Sequence, residues 1–476
     1  MKLKRITSII LSAAMLSAVC GCGGNGKNDT AKESTEGYPD TPYEINWYIN
    51  AVNQPDVNMV EEEMNKILTK EINCTIKLNI LDSEQYSKKL STMMSAGEYF
   101  DLAYTSSSVL SYIDSVKSGA FFDMADYIDE YMPKTKALFD EKFLKTAYID
   151  GKIGAIPTYK ESGSQYGWIY RKDIADKYNI DMTQYKNLDD LEPVLKMIKE
   201  NESGIKYPID WAADSSPAAL YQEQNIQIDT FVKRAGTENE GKTENIYESD
   251  GYQKACETAR DFYNKGYVRP DVLTATDQLQ RMKEGKTFAM LYILKPGKVK
   301  EVFKNSGYEF EQVEITQPQR DYLAGTGAMQ AISASSKNPV RVMRFLNLLN
   351  TDRTLKNLVI HGIEGKHYNR VDDKTIEVIP GTGYEMHANS WTIGNVFIDD
   401  LLTTEDPDKL TALKEFNAKA KSSELEDKIL SFCPPENDER DRKRTEINSA
   451  IGKYQKQAIL GATDPVSTLN EMNAKL

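Results

Sequence analysis

The chain has 476 residues, with 72 acidic against 59 basic side chains and a formal net charge of −13. Acidity on this scale favours solubility and argues against nucleic acid or anionic lipid as the ligand. Five cysteines and three histidines leave little material for a disulfide framework, a metal centre or general acid–base chemistry.

At the amino terminus, Lys2, Lys4 and Arg5 precede an apolar run from Ile6 to Val19 that is too short and small-sided to span a bilayer. This is the make-up of an export signal. It resembles the bacterial lipoprotein type, in which the cysteine that follows the cleavage point carries an acyl anchor. Cys22, behind Val19 and Gly21, fits that pattern better than Cys20, behind Ser17 and Val19. Cleavage at residues 1–21 removes three basic residues and takes the formal charge to −16. Residues 22–42 are nearly all Gly, Asn, Asp, Ser, Thr and Lys, so they cannot bury enough apolar surface to fold and read as a flexible tether.

The mature length exceeds one compact core and points to two or three domains. "YEINWYI" is a short aromatic and β-branched strand. After Pro55, a helix carries Val57, Val60, Met64, Ile67 and Leu68 on one face. "INCTIKLNIL" then sets Ile72, Cys74, Ile76, Leu78 and Ile80 at period two. Strand, helix, strand is the unit of a parallel sheet, and the fold class is α/β. The pattern repeats with Tyr86, Leu90, Met93 and Met94 on a helical stripe and with "YFDLAYT" as the next strand. Later helices carry Tyr252, Cys256, Ala259 and Phe262, then Val342, Phe345, Leu346 and Leu349. The last hundred residues are mostly helical, with Leu413, Phe416, Ile447, Ile451 and Tyr454 as apolar positions. Cys74 and Cys256 fall on apolar faces and read as small core residues, whereas Cys433 lies in the loop-like "SFCPPEND".

From Asp150 to Asp181, "DGKIGAIPTYKE…YGWIYRKDIADKYNID" gives a hairpin, an Ile-Pro, an aromatic strand and a helix opened by Arg171-Lys172-Asp173. With "YKNLDDLEPVLKMIKEN", "MKEGKTFAMLYIL", "YLAGTGAMQAISASSKNPVRVMRFLNLL" and the C-terminal helices, this order resembles the extracellular solute-binding lipoproteins of carbohydrate ABC importers. The resemblance extends to the Gram-positive branch labelled as aldouronate or complex-sugar binders. "YILKPGKVK" departs from the maltose-type members in lacking their tryptophans.

The resemblance implies two α/β lobes of the periplasmic-binding-protein kind, closing on a ligand by hinge bending. Crossings near Pro157, near Gln312 and after His361 divide the chain into a first lobe of 43–157 plus 312–365. The second lobe is then 158–311 plus 366–476, with a helical tail. The ligand is an oligosaccharide and the further partners are ABC permease subunits and the membrane, reached through the lipid anchor. Nucleic acid, metal and cofactor have no place, and the protein is a monomer. Sugars need flat apolar faces and hydrogen-bonding side chains, so aromatics lead the candidates. Tyr104 sits in a Ser-rich loop at the carboxyl end of a strand, where ligands of parallel sheets lie. Trp211 and Trp391 sit in polar loops where the resemblance implies stacking rings, and Trp47 and Trp168 fall in strands and read as buried. Gln54, Glu161, Lys366 and His367 are further candidates, the last two for an acidic sugar. The same scaffold would also serve a peptide or another solute. A cell-surface glycoside hydrolase would need only two suitably spaced carboxylates, and an adhesin would use the tether alone.

Overall fold

The computed structural model describes residues 42–222, 225–227, 231–233, 241–303, 306–320, 324–420 and 438–475. The proposed lipidation site Cys22, the tether up to residue 41 and Cys433 lie outside these residues.

In chain order the first strands are β1 (Tyr43–Asn50), β2 (Cys74–Leu81), β3 (Leu102–Thr105), β4 (Ala155–Pro157), β5 (Gln165–Arg171) and β6 (Ile209–Asp210). There follow β7 (Asn225–Gln227), β8 (Phe231–Lys233), β9 (Thr243–Glu244), β10 (Ala289–Leu294), β11 (Phe310–Glu314) and β12 (Met329–Ile332). The last are β13 (Tyr368–Arg370), β14 (Thr375–Val378) and β15 (Leu401–Leu402). Two mixed sheets dominate. The first has the order β2-β1-β3-β12-β4 and the second β11-β5-β10-β6.

The first sheet follows the period-two and period-3.6 patterns closely. β1 pairs in parallel with β2 and β3, and the helix Val57–Ile72 connects β1 to β2. Val60, Met64 and Leu68 are buried on that helix, facing Cys74, Ile76 and Leu78 of β2 in one core. Asn73, in the left-handed region at φ 47°, ends the helix by returning its N–H to the carbonyls of Leu68 and Thr69. The next helix, Ser83–Ala96, starts where the Asp82 carboxylate accepts from the Gln85 N–H and stops at Gly97, φ 64°. Trp47 and Tyr48 are both buried on opposite faces of β1, as expected of a parallel strand covered on both sides.

A second core gathers Trp168 and Tyr170 of β5, Ile209 of β6 and Leu291 of β10 under the helices Leu188–Asn201 and Asp250–Asn264. Cys74 and Cys256 are buried in the first and second core respectively, neither in a disulfide, and burial pushes the Cys256 thiol up to about 12.

The segment beyond residue 365 divides rather than joining the second lobe as a block. Tyr384, Met386 and Ile393 pack into the first core, because the chain returns along the carboxyl ends of β1 and β3 before it leaves. Ala458, Ile459, Leu469 and Met472, on the last two helices, pack into the second core. Among the described residues no helix is long and apolar enough to cross a membrane.

Candidate binding site

Two stretches of chain pass side by side from one sheet to the other. Residues 158–164 lead from β4 to β5, residues 315–320 leave β11 on the way to β12, and Ser164 and Gln319 bridge them antiparallel. At Gly163 the approach is so close that a Cβ would lie 2.5 Å from the Gln319 carbonyl oxygen and 2.7 Å from the Ala420 methyl, so only glycine fits. The helix Lys409–Lys419 clamps this point: the Asn417 side chain accepts from the Ser162 N–H at 2.8 Å and donates to the Lys160 carbonyl at 2.9 Å. Gln312 lies within the second sheet, so the second crossing begins after Glu314. The third passage falls after Leu402 rather than after His361, and Asp406 meets Lys300 of the second lobe there.

The first-lobe side of the site is a tryptophan platform. Trp391 is 45 % exposed, in a 3-10 turn, His387–Thr392, and stands edge-on to Tyr104 with ring centroids 6.4 Å apart. Tyr104 is itself 5 % exposed, its carbonyl oxygen accepting from the Tyr86 hydroxyl at 2.7 Å. Long-range contacts hold the turn on every side. Ser390 Oγ accepts from the Lys356 ammonium at 3.0 Å and donates to the Asp399 carboxylate. Lys356 is wholly buried and meets Asp399, whose side chain is 10 % exposed, at 2.8 Å, and burial pushes the ammonium down and the carboxyl up against the pull of each on the other. The Gln330 amide of β12 donates to the Thr392 carbonyl at 2.7 Å and accepts from the Trp47 indole at 2.9 Å. Asn389 donates to the Asn50 carbonyl at the end of β1. The result is an exposed ring on a mounting that has little freedom to lose on binding.

The second-lobe side is a pocket of about 310 Å³ at the carboxyl ends of β6 and β10, bordered by residues 160–164 of the first crossing. Glu161 Oε1 lies 2.9 Å from the Lys160 ammonium and 3.3 Å from that of Lys295. Burial would raise the Glu161 carboxyl, but these two lysines overcome it and hold it at about 2. Lys295 also meets Glu301 at 3.0 Å, and Lys298 meets Glu301 at 2.8 Å. Tyr292, Asp214 and Ser215 complete the wall. The two sides are joined through the crossing, since Tyr159 donates to the Gly394 carbonyl and accepts from the Val396 N–H. Larger concavities of about 640 and 770 Å³ are lined by first-lobe residues alone. Among the described residues no group of three acidic, His or Cys side chains could hold a metal.

The structure thus brings Tyr104 and Trp391 together and sets Glu161 in the pocket across the crossing. It uses other candidates differently. Trp211 is wholly buried in the second core, 6.2 Å from the Phe262 ring, because the two-residue β6 runs straight beneath the helix Asp250–Asn264. Gln54 is buried with both ends of its amide occupied, accepting from the Glu385 N–H and donating to the Val52 carbonyl. His367 is buried against Gly362, and its Nδ1 accepts from the Ile363 N–H at 2.8 Å. The other ring nitrogen faces Asp56, 3.2 Å away, and Lys366 reaches the same carboxylate at 3.1 Å. These bonds, His367 first and Lys366 second, hold the Asp56 carboxyl below its ordinary range. Lys366 and His367 therefore both already face the Asp56 carboxylate. Gln330, Lys356 and Asp399, which position the platform, escaped the sequence reading because each partner lies far along the chain or on a face that looks solvated.

Comparison with known proteins agrees with this architecture. Residues 63–362, well over half of the chain, match the family model described as bacterial extracellular solute-binding protein. A carbohydrate ABC transporter substrate-binding protein of Streptococcus pneumoniae serotype 4 is 27 % identical over 98 % of this chain and 92 % of its own. A polygalacturonan/rhamnogalacturonan-binding protein of Bacillus subtilis strain 168 is 24 % identical over 81 % of this chain and 77 % of its own. The crystal structure of an N-glycan transport solute-binding protein from Streptococcus pneumoniae superposes with a TM-score of 0.76 at 22 % identity, covering 91 % of this chain and 98 % of that one. Its complex with Man1GlcNAc gives 0.71 over 91 % of this chain and 94 % of that one. With the matched model covering well over half of the chain, this chain belongs to the bacterial extracellular solute-binding proteins.

Proposed function

We propose that this protein captures an oligosaccharide between its lobes and hands it, unaltered, to an ABC importer. The carrying observation is the Trp391 platform, an exposed indole on a turn fixed by buried bonds beside Tyr104, together with a polar pocket bordered by the first crossing. An indole face covers the C–H surface of a sugar ring, and the amides and carboxylates around it bond the hydroxyls. Carbohydrate-binding relatives that align over most of the chain support the substrate class. The site residues are Trp391 and Tyr104 from the first lobe and Glu161 from the crossing. Gln54, Trp211 and His367 act in the scaffold. Cys22 carries the lipid that moors the protein at the outer face of the membrane, and the protein works as a monomer.

Closure about the crossings would bring the pocket over the platform, and a ligand drives it only by as much as it prefers the closed form. Thermal shift against an oligosaccharide panel tests this reading, with product analysis of the same mixtures. A sugar that raises the melting temperature and is recovered intact is the expected result. Recovery of cleaved sugar overturns it in favour of a hydrolase, and a shift with peptides alone overturns the substrate class.

A further inference from the structure

The charge pattern of the second-lobe pocket carries the substrate class further, and this step rests on the oligosaccharide reading. Three ammonium groups border the pocket: Lys160, Lys295 and Lys298. Each already faces a carboxylate. Glu161 answers Lys160 and Lys295 from one oxygen, and Glu301 answers Lys295 and Lys298 from its two. Asp214 adds a third negative charge to the wall, so three cations meet three anions. Lys295 is mostly buried, and although burial pulls its ammonium down, Glu161 and Glu301 outweigh that and hold it charged. A compensated lattice of this kind keeps hydrogen-bond donors and acceptors available for hydroxyl groups, while its net field on an incoming anion is close to nil.

On the other side, the platform offers an indole, a phenol, amides and the imidazole of His387, with no lysine or arginine in the turn. The exposed cation of the 362–368 loop, Lys366, is held by Asp56. The surface as a whole is acidic, which slows the approach of a polyanion. We propose that the ligand is a neutral oligosaccharide and that Glu161 is the specificity-determining residue that excludes uronate chains by occupying the lysines a uronate carboxylate would need. A uronate could bind here only by displacing Glu161 or Glu301 from a lysine, leaving a carboxylate unpaired in a partly buried place.

Calorimetric titration at low and high salt tests this with two ligand sets: neutral oligosaccharides of glucose, mannose and N-acetylglucosamine, and uronate oligosaccharides of galacturonic and guluronic acid. The wild type is expected to bind its best neutral ligand at least about tenfold more tightly than any uronate. Glu161→Gln leaves Lys160 unanswered and Lys295 with Glu301 alone, so uronate affinity is expected to rise about tenfold at low salt and to fall back at high salt. Glu301→Gln, which leaves Lys298 unanswered and Lys295 with Glu161 alone, gives a second variant with the same expected direction should the first fold poorly. Wild-type preference for uronates overturns the proposal while leaving the oligosaccharide reading intact. So does an unchanged ratio of uronate to neutral affinity in both folded variants. Binding of neither class overturns the oligosaccharide reading, and this proposal with it.

Discussion

The two faces of the site are built by different physics. The Trp391 turn presents an indole, and its rigidity comes from groups beneath it: the buried Lys356 with Asp399, both meeting Ser390, and the Gln330 amide, drawn from distant segments. The second-lobe pocket is charged at its surface, and two of its four ion pairs join near neighbours in sequence, Lys160 with Glu161 and Lys298 with Glu301. A buried pair behaves as an all-or-none support, since removing one partner strands the other. Partly exposed pairs can be changed singly, because water and the remaining partner take over part of the lost interaction. The first face is therefore suited to holding a ring in place and the second to setting selectivity.

The sharpest way to break this comparison is to cut the two tryptophans that look alike in sequence. Trp211→Ala is expected to destabilise the protein by about 3–5 kcal/mol, as a large ring lost from a packed core does. Denaturant unfolding measures this. Retention of wild-type stability with loss of ligand would return Trp211 to the binding site. Next comes Lys356→Met, which leaves Asp399 buried without its cation and is expected to cost about 3–5 kcal/mol. Adding Asp399→Leu should restore much of that loss if the charge and not the packing is responsible. Glu161→Gln is expected to cost less than either, since Lys295 keeps Glu301 and Lys160 is partly solvated.

The second lobe also has a buried charge, placed just behind the pocket wall. Asp210, at the end of β6, is buried 3.4 Å from the Arg281 guanidinium, and neither atom of that contact makes a hydrogen bond among the described residues. Burial is the main cause that raises its carboxyl to about 6, and Arg281 recovers only part of the loss. Because the folded value lies above the ordinary 3.8, the folded protein keeps a proton that the unfolded chain has already released. Its contribution to stability is thus full below about pH 4 and is lost as pH rises through about 6, a change of at most about 3 kcal/mol. Thermal unfolding across pH 4–7 should show this slope in the wild type and a flatter profile in Asp210→Asn. An unchanged slope would assign the effect to another group.

How much of this was legible follows from how local each cause is. The helix Val57–Ile72 and strand β2 announce themselves by apolar spacing, and Cys74 and Cys256 were correctly read as core residues from the same spacing. The two loop tryptophans were not separable in that way. "IDWAADSS" and "HANSWTIG" are equally polar around the ring, and the outcome depends on what lies above each: a helix for Trp211, and for Trp391 a turn folded back onto the strand ends. Lys356 sits in "RTLKNLVIH", where a lysine reads as solvated, and only Asp399, on a returning segment, reveals its burial. The same return over the first sheet displaced the third crossing from the expected place, because nothing between His361 and Leu402 in the sequence marks which core it joins. His367 looked like a ligand group since its two partners, the Ile363 N–H and Asp56, are a backbone atom and a residue far upstream.

The smallest expected energy, and the one that bears most directly on the platform, belongs to Trp391→Ala. The ring is half out of the fold, so its removal should change unfolding stability by no more than about 0.5 kcal/mol. Its loss should nonetheless weaken oligosaccharide binding by about ten- to a hundredfold, as truncation of an aromatic anchor at the centre of an interface does. That combination, affinity lost with stability kept, is the reverse of the outcome expected at Trp211, and calorimetry and unfolding on the same two variants read both at once. Gln330→Ala separates the ring from its mounting. The indole remains, but the Thr392 carbonyl and the Trp47 indole lose their shared partner, so binding should weaken through a more adverse entropy with less loss of enthalpy. Equal affinity in Trp391→Ala and the wild type would remove the platform from the site and leave the charged pocket as its only recognised wall.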